Sequence, residues 1–260
     1  MSFRREQREA EERWRRIAAG AGPPTEAFDP GMLDGQPEIA QRYFRYAIAP
    51  GTPLRRAVQL DMHGTFLLGD KNSFQTYAMR ARQILHPPSQ FVWIADLRSG
   101  AMRISGSDGL MEGSAWTRFW LMGLIPVAKA RSSPDLVRSA TFRSTVESIW
   151  APANLLPQNG VVWEQTGDNA ARLRFESVAP QIHLDLILGR EGALREVVGQ
   201  RWSNANPAKV FRPQPFGGTI QDHAQFGGYR IPSRLAVGNH FGTEDYLPFF
   251  QARISKAVFL

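Results

Sequence analysis

Apolar and polar residues alternate with a period of two along much of this chain. Val58, Leu60 and Met62 begin one such run and are separated by polar side chains, the pattern of a strand with one buried face. Similar runs cover 91–97, 171–175, 182–188 and 250–258. Alternating strands are typical of antiparallel sheets, because parallel sheets that are covered on both faces give continuous apolar runs.

Turn sequences separate these runs at short intervals, for example GDKN at 69–72 and GREG at 189–192. The chain shows no alternation of strands with helices and no internal repeat of fixed period. These features predict a mainly β (α+β) fold with a single, strongly curved antiparallel sheet. We expect a half-barrel of about ten strands in which successive strands are neighbours.

Three segments have the 3.6-residue period of an amphipathic helix. The first covers 2–19, the second 37–48 and the third 134–150. The second and third are predicted to cover the apolar face of the sheet, which would otherwise be exposed. We therefore expect an N-terminal helix and linker at 1–36 and a single β-cup domain at 37–260.

Composition excludes several classes of chemistry. The chain has no cysteine, so disulfides and thiolate sites are excluded. Its 31 Lys and Arg against 24 Asp and Glu give a net charge of +7, but the basic residues are scattered, and no nucleic-acid partner is expected. No apolar run approaches the length of a membrane span, and the N-terminus lacks the apolar core of a signal peptide, so a cytoplasmic location is expected.

The common catalytic, phosphate-binding, dinucleotide-binding and zinc-binding motifs are missing from the sequence. No cofactor and no metal are predicted. Asp108 and Glu112 lie in SGSDGLMEGS at 105–114, which is interpreted as a surface turn because it lacks the alternating oxygen ligands of a calcium loop. The strongly apolar WTRFWLMGLIPVAKA at 116–130 fits a buried strand pair that bends at Gly123, or the wall of an apolar cavity.

The third helix contains the most unusual pattern. Phe142, Val146, Ile149 and Trp150 form one apolar stripe, and Glu147 lies at its edge one turn after Arg143. Pro152 then prevents continuation of the helix. Two interpretations stay open for Glu147: a surface residue that pairs with Arg143, or a carboxylate that faces a cavity.

The run E-x-x-W-x-P-x-x-L-L-P at 147–157 carries a resemblance to a known family. Together with PEIAQRYFRYAIAPGTP at 37–53, LMGLIPVAKA at 121–130 and GGYRIPSRL at 227–235, it is similar to an uncharacterised bacterial family classed only as a domain of unknown function. The resemblance covers about 37–258. It implies a fold similar to that of lipoprotein carriers (LolA-like): a curved antiparallel half-barrel closed by helices over an apolar cavity.

These patterns predict a non-enzymatic protein that binds an apolar or lipid-like ligand between sheet and helix. The predicted wall residues are Trp116, Trp120, Leu121, Trp150 and Trp163, and Glu147 and Arg201 are predicted to orient a polar head group. One alternative is an enzyme of unrecognised type that acts through Glu147 with Arg or His partners. Another is a membrane-surface adaptor that makes peripheral contact through residues 1–20.

Overall fold

The computed structural model describes residues 2–260. One open, curved antiparallel sheet of 13 strands dominates the fold, and its strand order is β6-β5-β4-β3-β2-β1-β13-β12-β11-β10-β9-β8-β7. The mainly β fold and the curved antiparallel sheet are therefore as predicted, while the predicted count of about ten strands was wrong.

The helices are α1 (Phe3–Gly20), α2 (Glu38–Ala47) and α3 (Pro134–Val146). The first six strands are β1 (Val58–Asp70), β2 (Ser73–His86), β3 (Gln90–Ser99), β4 (Met102–Met111), β5 (Ser114–Leu121) and β6 (Ile125–Ala130). The other seven are β7 (Val161–Gly167), β8 (Ala170–Phe175), β9 (Ile182–Leu188), β10 (Leu194–Ser203), β11 (Arg212–Phe226), β12 (Tyr229–Asn239) and β13 (Leu247–Phe259).

Strand β4 shows why sequence periodicity undercounts the strands. Its polar and glycine-rich sequence resembles a turn, yet it forms a full ladder with β3 and β5. Two of its residues must be glycine. A Cβ atom at position 106 would lie 2.0 Å from the Arg118 carbonyl oxygen, and a Cβ atom at position 109 would lie 2.5 Å from the Phe91 carbonyl oxygen. The glycines that weaken the strand signal thus permit close strand pairing.

The sheet consists of two meanders that meet in its centre. Strands β1 to β6 follow one another as hairpins, and so do β7 to β13. The two sets join where β1 pairs with β13, from the Val58–Phe259 pair to the Phe66–Phe250 pair. The edge strands β6 and β7 are consecutive in the chain, so the segment that links them, which contains α3, connects the two edges of the sheet.

Helices α2 and α3 lie on one face of the sheet, which we call the inner face. Helix α3 contacts β3, β4 and β5 of the first meander and β9 and β10 of the second. Ser133 caps its N-terminus by accepting a hydrogen bond from the Leu136 amide at 3.2 Å. After Val146 the chain continues as 3-10 turns at Glu147–Trp150 and Pro152–Leu155, consistent with a helix that Pro152 ends.

Helix α1 lies on the opposite, outer face of the sheet, against β2, β3 and β4. Ala10 and Ile17 are buried there with Ile84, Val92 and Trp116. The apolar stripe of α1 is therefore covered by the sheet. None of the helices in the described residues is both long and apolar enough to cross a membrane.

Candidate ligand-binding site

A cavity of about 170 Å³ lies between α3 and the inner face of the sheet. Both meanders contribute to its wall, because its lining includes residues from strands of each. Its apolar lining consists of Phe66, Trp93, Val146, Ile149, Trp150, Val197, Phe216, Gly217, Leu235, Val237, Phe249 and Phe250. Its polar lining consists of four charged side chains, Asp108, Arg143, Glu147 and Arg201.

Aromatic rings form one side of the cavity as a connected cluster. The ring centroid of Phe66 lies 5.9 Å from that of Trp93 and 5.5 Å from that of Phe249, and Phe249 lies 6.2 Å from Phe216. Trp93 is buried, whereas Phe66, Phe249 and Phe250 are only half-buried. The aromatic wall therefore runs from the interior towards solvent, and its half-buried rings form the mouth of the cavity.

The charged lining is organised around Arg143 on α3. Its Nη1 donates to both carboxylate oxygens of Asp108, at 2.9 and 2.7 Å, and its Nε donates to Glu147 Oε1 at 2.8 Å. Gln83 Nε2 donates to the other oxygen of Glu147 at 2.6 Å. Between 13 and 20 % of each of the three charged side chains is exposed, so the cluster is largely buried.

Burial and the neighbouring charges shift the pKa values of these three groups in opposite directions. Burial raises the pKa of Asp108 and that of Glu147, and the attraction of Arg143 only partly offsets this. Burial alone would lower the pKa of Arg143, but the two carboxylates outweigh it and raise the pKa. A buried arginine held between two carboxylates remains charged, and each carboxylate already accepts strong hydrogen bonds.

Arg201 on β10 is the second cation of the cavity. Its Nε donates to Ser139 Oγ at 3.0 Å, and its guanidinium lies 5.1 Å from the Phe216 ring centroid. Within residues 2–260 it forms no ion pair with a carboxylate. Burial, and then the repulsion of Arg143, lower its pKa to about 10. Arg201 therefore remains a cation at neutral pH, with its two terminal nitrogens available to a ligand.

The indole of Trp93 is a second donor in the cavity lining. Its Nε1 is buried and has no hydrogen-bond partner in the described part of the chain. Trp150, by comparison, donates from Nε1 to the Pro232 carbonyl oxygen at 3.1 Å. Because an unpaired buried N–H costs about 1–3 kcal/mol, the Trp93 donor is a group that a ligand acceptor would stabilise.

The structure brings together three of the seven residues predicted to contact a ligand: Glu147, Trp150 and Arg201 line the cavity. Leu121 packs against the main core outside the cavity. Trp163 is buried beneath α2 and donates to the Leu155 carbonyl oxygen. Both residues are on the inner face, but neither lines the cavity.

Trp116 and Trp120 lie on the outer face and are therefore not walls of this cavity. Trp116 donates to Ser107 Oγ at 3.0 Å under α1, and Trp120 contacts Phe3 with ring centroids 5.7 Å apart. They alternate with Phe119, which faces inward and lies 5.9 Å from Trp93. The segment 116–130 does form a strand pair that turns at Gly123, whose φ is +70°. Its apolar residues, however, are divided between the two faces of the sheet.

Asp108 is a cavity residue that sequence reasoning missed. The prediction of a surface turn holds for Glu112, which is exposed in the β4–β5 turn, but it was wrong for Asp108, which pairs with Trp93 across the β3–β4 ladder and faces inward. Glu147 combines both predicted alternatives: it pairs with Arg143 and also lines the cavity. Local sequence gives no signal for Asp108, because its position depends on strand register alone.

The family comparison matches most of the chain, residues 26–252. The chain belongs to a family of unknown function, DUF6544. A search of curated proteins returned no match.

Solved structures of similar topology share very little sequence with this DUF6544 member. A LolA superfamily protein from Nitrosomonas europaea is 9 % identical, with a TM-score of 0.44 and coverage of 85 % of this chain and 92 % of that one. A DUF1329 family protein from Desulfovibrio piger is 8 % identical, with a TM-score of 0.39 and coverage of 85 % and 90 %.

Proposed function

We propose that this protein binds a small amphiphile, with its apolar part in the cavity under α3 and an acidic head group beside Arg201. The observation that carries the proposal is the combination of an aromatic cavity with two polar groups in its lining: Arg201, which forms no ion pair within residues 2–260, and Trp93 Nε1, which has no acceptor there. Ligand sites in proteins are mostly apolar with a few convergent polar groups, and this cavity has that composition.

The cavity volume limits the part of the ligand that is enclosed. A dry apolar cavity of roughly 150 Å³ accepts a group of the size of benzene, so 170 Å³ accepts a ring or a short alkyl segment. A longer chain would continue past the half-buried rings of Phe66 and Phe250 at the mouth. Burial of apolar surface at about 25 cal/mol per Å² would supply the affinity.

Charge in the cavity favours an acidic head group over a basic one. Asp108 and Glu147 are already held by Arg143, and Gln83 also donates to Glu147. Arg201 is the cation of this lining that has no ion pair among the described residues. A carboxylate or phosphate on the ligand would therefore meet the free fork of a guanidinium, which suits paired oxygen acceptors.

Native mass spectrometry of the full chain, purified without detergent, tests whether a ligand is bound. Val237→Phe places a ring in the cavity wall and should lower the bound fraction at least tenfold. Val258→Phe, on an exposed position of β13, is the matched control and should leave it unchanged. A wild-type protein that is free of ligand, and that also fails to bind octanoate, would contradict the proposal.

The role of Arg201 is tested with two probes of equal chain length, octanoate and octanol. Arg201→Met should weaken octanoate binding roughly tenfold or more, the scale of one charge-assisted hydrogen bond. Octanol binding should change little, because the apolar wall is retained. An equal loss of affinity for both probes would show that Arg201 supports the wall and does not recognise a head group.

An enzymatic role is the second candidate, and one observation favours it. Burial raises the pKa of both Asp108 and Glu147 beside a cavity, as is common for general acids and bases. Against it, the oxygens of both carboxylates already accept hydrogen bonds from Arg143 and Gln83. Release of a chemically altered probe from the wild type, but not from Glu147→Gln, would favour the enzyme.

A further inference from the structure

A row of cationic and hydrogen-bond-donating side chains crosses the outer face of the central strands. Arg234 on β12 pairs with Arg253 on β13, Arg253 pairs with His63 on β1, and His63 pairs with Arg80 on β2. Directly paired residues of an antiparallel ladder point to the same side of the sheet. We call these four residues the outer-face row; all four are exposed.

The side chains of the outer-face row have no protein partner in the part of the chain that the structure describes. Between 2 and 260, none of the four forms an ion pair or a side-chain hydrogen bond. One carboxylate lies beyond each end of the row, and each already accepts a hydrogen bond or pairs with other residues. Asp96, opposite Arg80, already pairs with Arg98 and Arg103, and Asp222, opposite Arg234, accepts a hydrogen bond from the His223 amide at 2.8 Å.

Positive charges placed next to each other lower the stability of the folded protein when no anion is bound. Like charges directly opposite each other destabilise a sheet, whereas opposite charges stabilise it. Arg253 lies opposite Arg234 on one side and the imidazole of His63 on the other, so it is the arginine of the row that has no carboxylate directly opposite it. Its neighbours along the same strand face include Gln251, which is uncharged, and the nearby Thr65 is also uncharged. The adjacent Arg234 and Arg253 therefore leave an exposed surface with two neighbouring positive charges that an anion would stabilise.

We propose that the outer-face row binds phosphate groups. Arginine presents a planar fork of donors that matches phosphate oxygens, and the histidine adds an N–H donor between the arginines. With strands about 4.8 Å apart, the four residues span about 14 Å, enough for one or two phosphates. Asp222 and Asp96 lie at the two ends of the row and limit its length. A row this short does not suit an extended nucleic-acid backbone.

The site is separate from the cavity under α3, because it lies on the other face of the sheet. Helix α1 lies mainly against β2, β3 and β4, and it leaves all four residues of the row exposed. Its Arg80 and His63 end borders an open groove of about 760 Å³ between α1 and the sheet. A phosphate ester could thus place its phosphate on the row and its organic part in this groove.

Thermal unfolding of the full chain in phosphate, and in acetate or chloride at equal ionic strength, tests the proposal. Phosphate should raise the unfolding midpoint of the wild type more than the other salts do. Arg253→Thr should weaken phosphate binding roughly tenfold, while its midpoint without phosphate should rise because like charges are removed. Arg190→Thr, an exposed arginine in the β9–β10 turn, is the control and should show neither effect.

Co-sedimentation with vesicles distinguishes the source of the phosphate. Binding to phosphatidylglycerol vesicles but not to phosphatidylcholine vesicles, lost in Arg253→Thr, would indicate an acidic lipid head group. A response to inorganic phosphate alone would indicate a soluble phosphate ligand. Equal effects of phosphate and acetate, together with no vesicle binding, would overturn the proposal. Arg234→Thr repeats the test if Arg253→Thr does not fold.

Discussion

Arg143 and Asp108 join helix α3 to strand β4 through two hydrogen bonds from one guanidinium nitrogen, at 2.7 and 2.9 Å. The same guanidinium lies 4.6 Å from the Phe91 ring centroid, so it is held by charge on one side and by an aromatic ring on the other. Because α3 connects the two edges of the sheet, this contact fixes the helix over the cavity.

Replacement of Arg143 by methionine should strongly destabilise the fold. It would leave Asp108 and Glu147 buried without their cation, and breaking a buried ion pair costs about 3–5 kcal/mol. Arg138→Met is the control on the same helix: Arg138 is exposed and stacks on Trp202 at 4.0 Å, and its loss should cost about 0.5–1 kcal/mol. Urea unfolding measures the free energy of unfolding of both variants. A similar decrease in the two variants would contradict the central role of Arg143.

Acidification should destabilise the protein through His223. Burial, and then the charge of Arg195, lower its pKa to about 4 from an ordinary value of 6.5. Between these values the unfolded chain binds more protons than the folded one, so the free energy of unfolding falls as pH decreases from about 6.5 to about 4. His223→Gln should reduce this slope in urea titrations at several pH values; an unchanged slope would exclude His223 as its source.

The attachment of α1 depends on a buried carboxylate. Glu6 is fully buried and accepts hydrogen bonds from Ser107 Oγ at 2.6 Å and from Arg118 Nη1 at 2.9 Å. Glu6→Ala should therefore weaken the docking of α1 by about 1.5–3 kcal/mol and speed hydrogen exchange over 3–20. The exposed Glu12 on the same helix provides the control, and Glu12→Ala should leave exchange unchanged.

The pairing of β1 with β13 requires a glycine at position 64. A Cβ atom there would lie 2.0 Å from the Gln251 carbonyl oxygen and 3.0 Å from the Ala252 Cα. Gly64→Ala should cost about 1–3 kcal/mol by forcing the strands apart. Gly20→Ala, where the added methyl would meet none of the described residues beyond its own helix backbone and chain neighbours within 4 Å, should change stability by less than about 1 kcal/mol.

Periodicity predicted the strands that have one apolar face. It failed where strand register determines which face of the sheet a residue lies on. The alternating run at 250–258 predicts that Val258 lies on the same, buried side as Ile254, yet Val258 is exposed. The register shifts between the Asp61–Lys256 and Met62–Ile254 pairs, so Ser255 is an extra residue in β13. Such a bulge reverses the faces that follow it, and the sequence of a single strand does not show it.

The candidate site was predicted in part for the same reason. Glu147 and Trp150 were predicted from the helical pattern at 134–150, because neighbours on a helical turn follow from spacing alone. The α-helix itself ends at Val146, and both residues lie in the 3-10 turn that follows it. Asp108 and Trp93 meet only through the pairing of two strands. Trp116 was misplaced because a continuous apolar run does not show which of its residues face inward.

The central pairing of β1 with β13 also has a consequence for synthesis on the ribosome. The two partners are about 200 positions apart, as the Val58–Phe259 pair shows, and β13 is the last of the 13 strands to be made. The earlier meander therefore waits, with β1 unpaired on one side, until the residues of β13 have emerged. Pairings this distant in sequence close slowly. A nascent chain that stops short of β13 would expose the middle of the sheet, where chaperones and proteases recognise unfinished proteins.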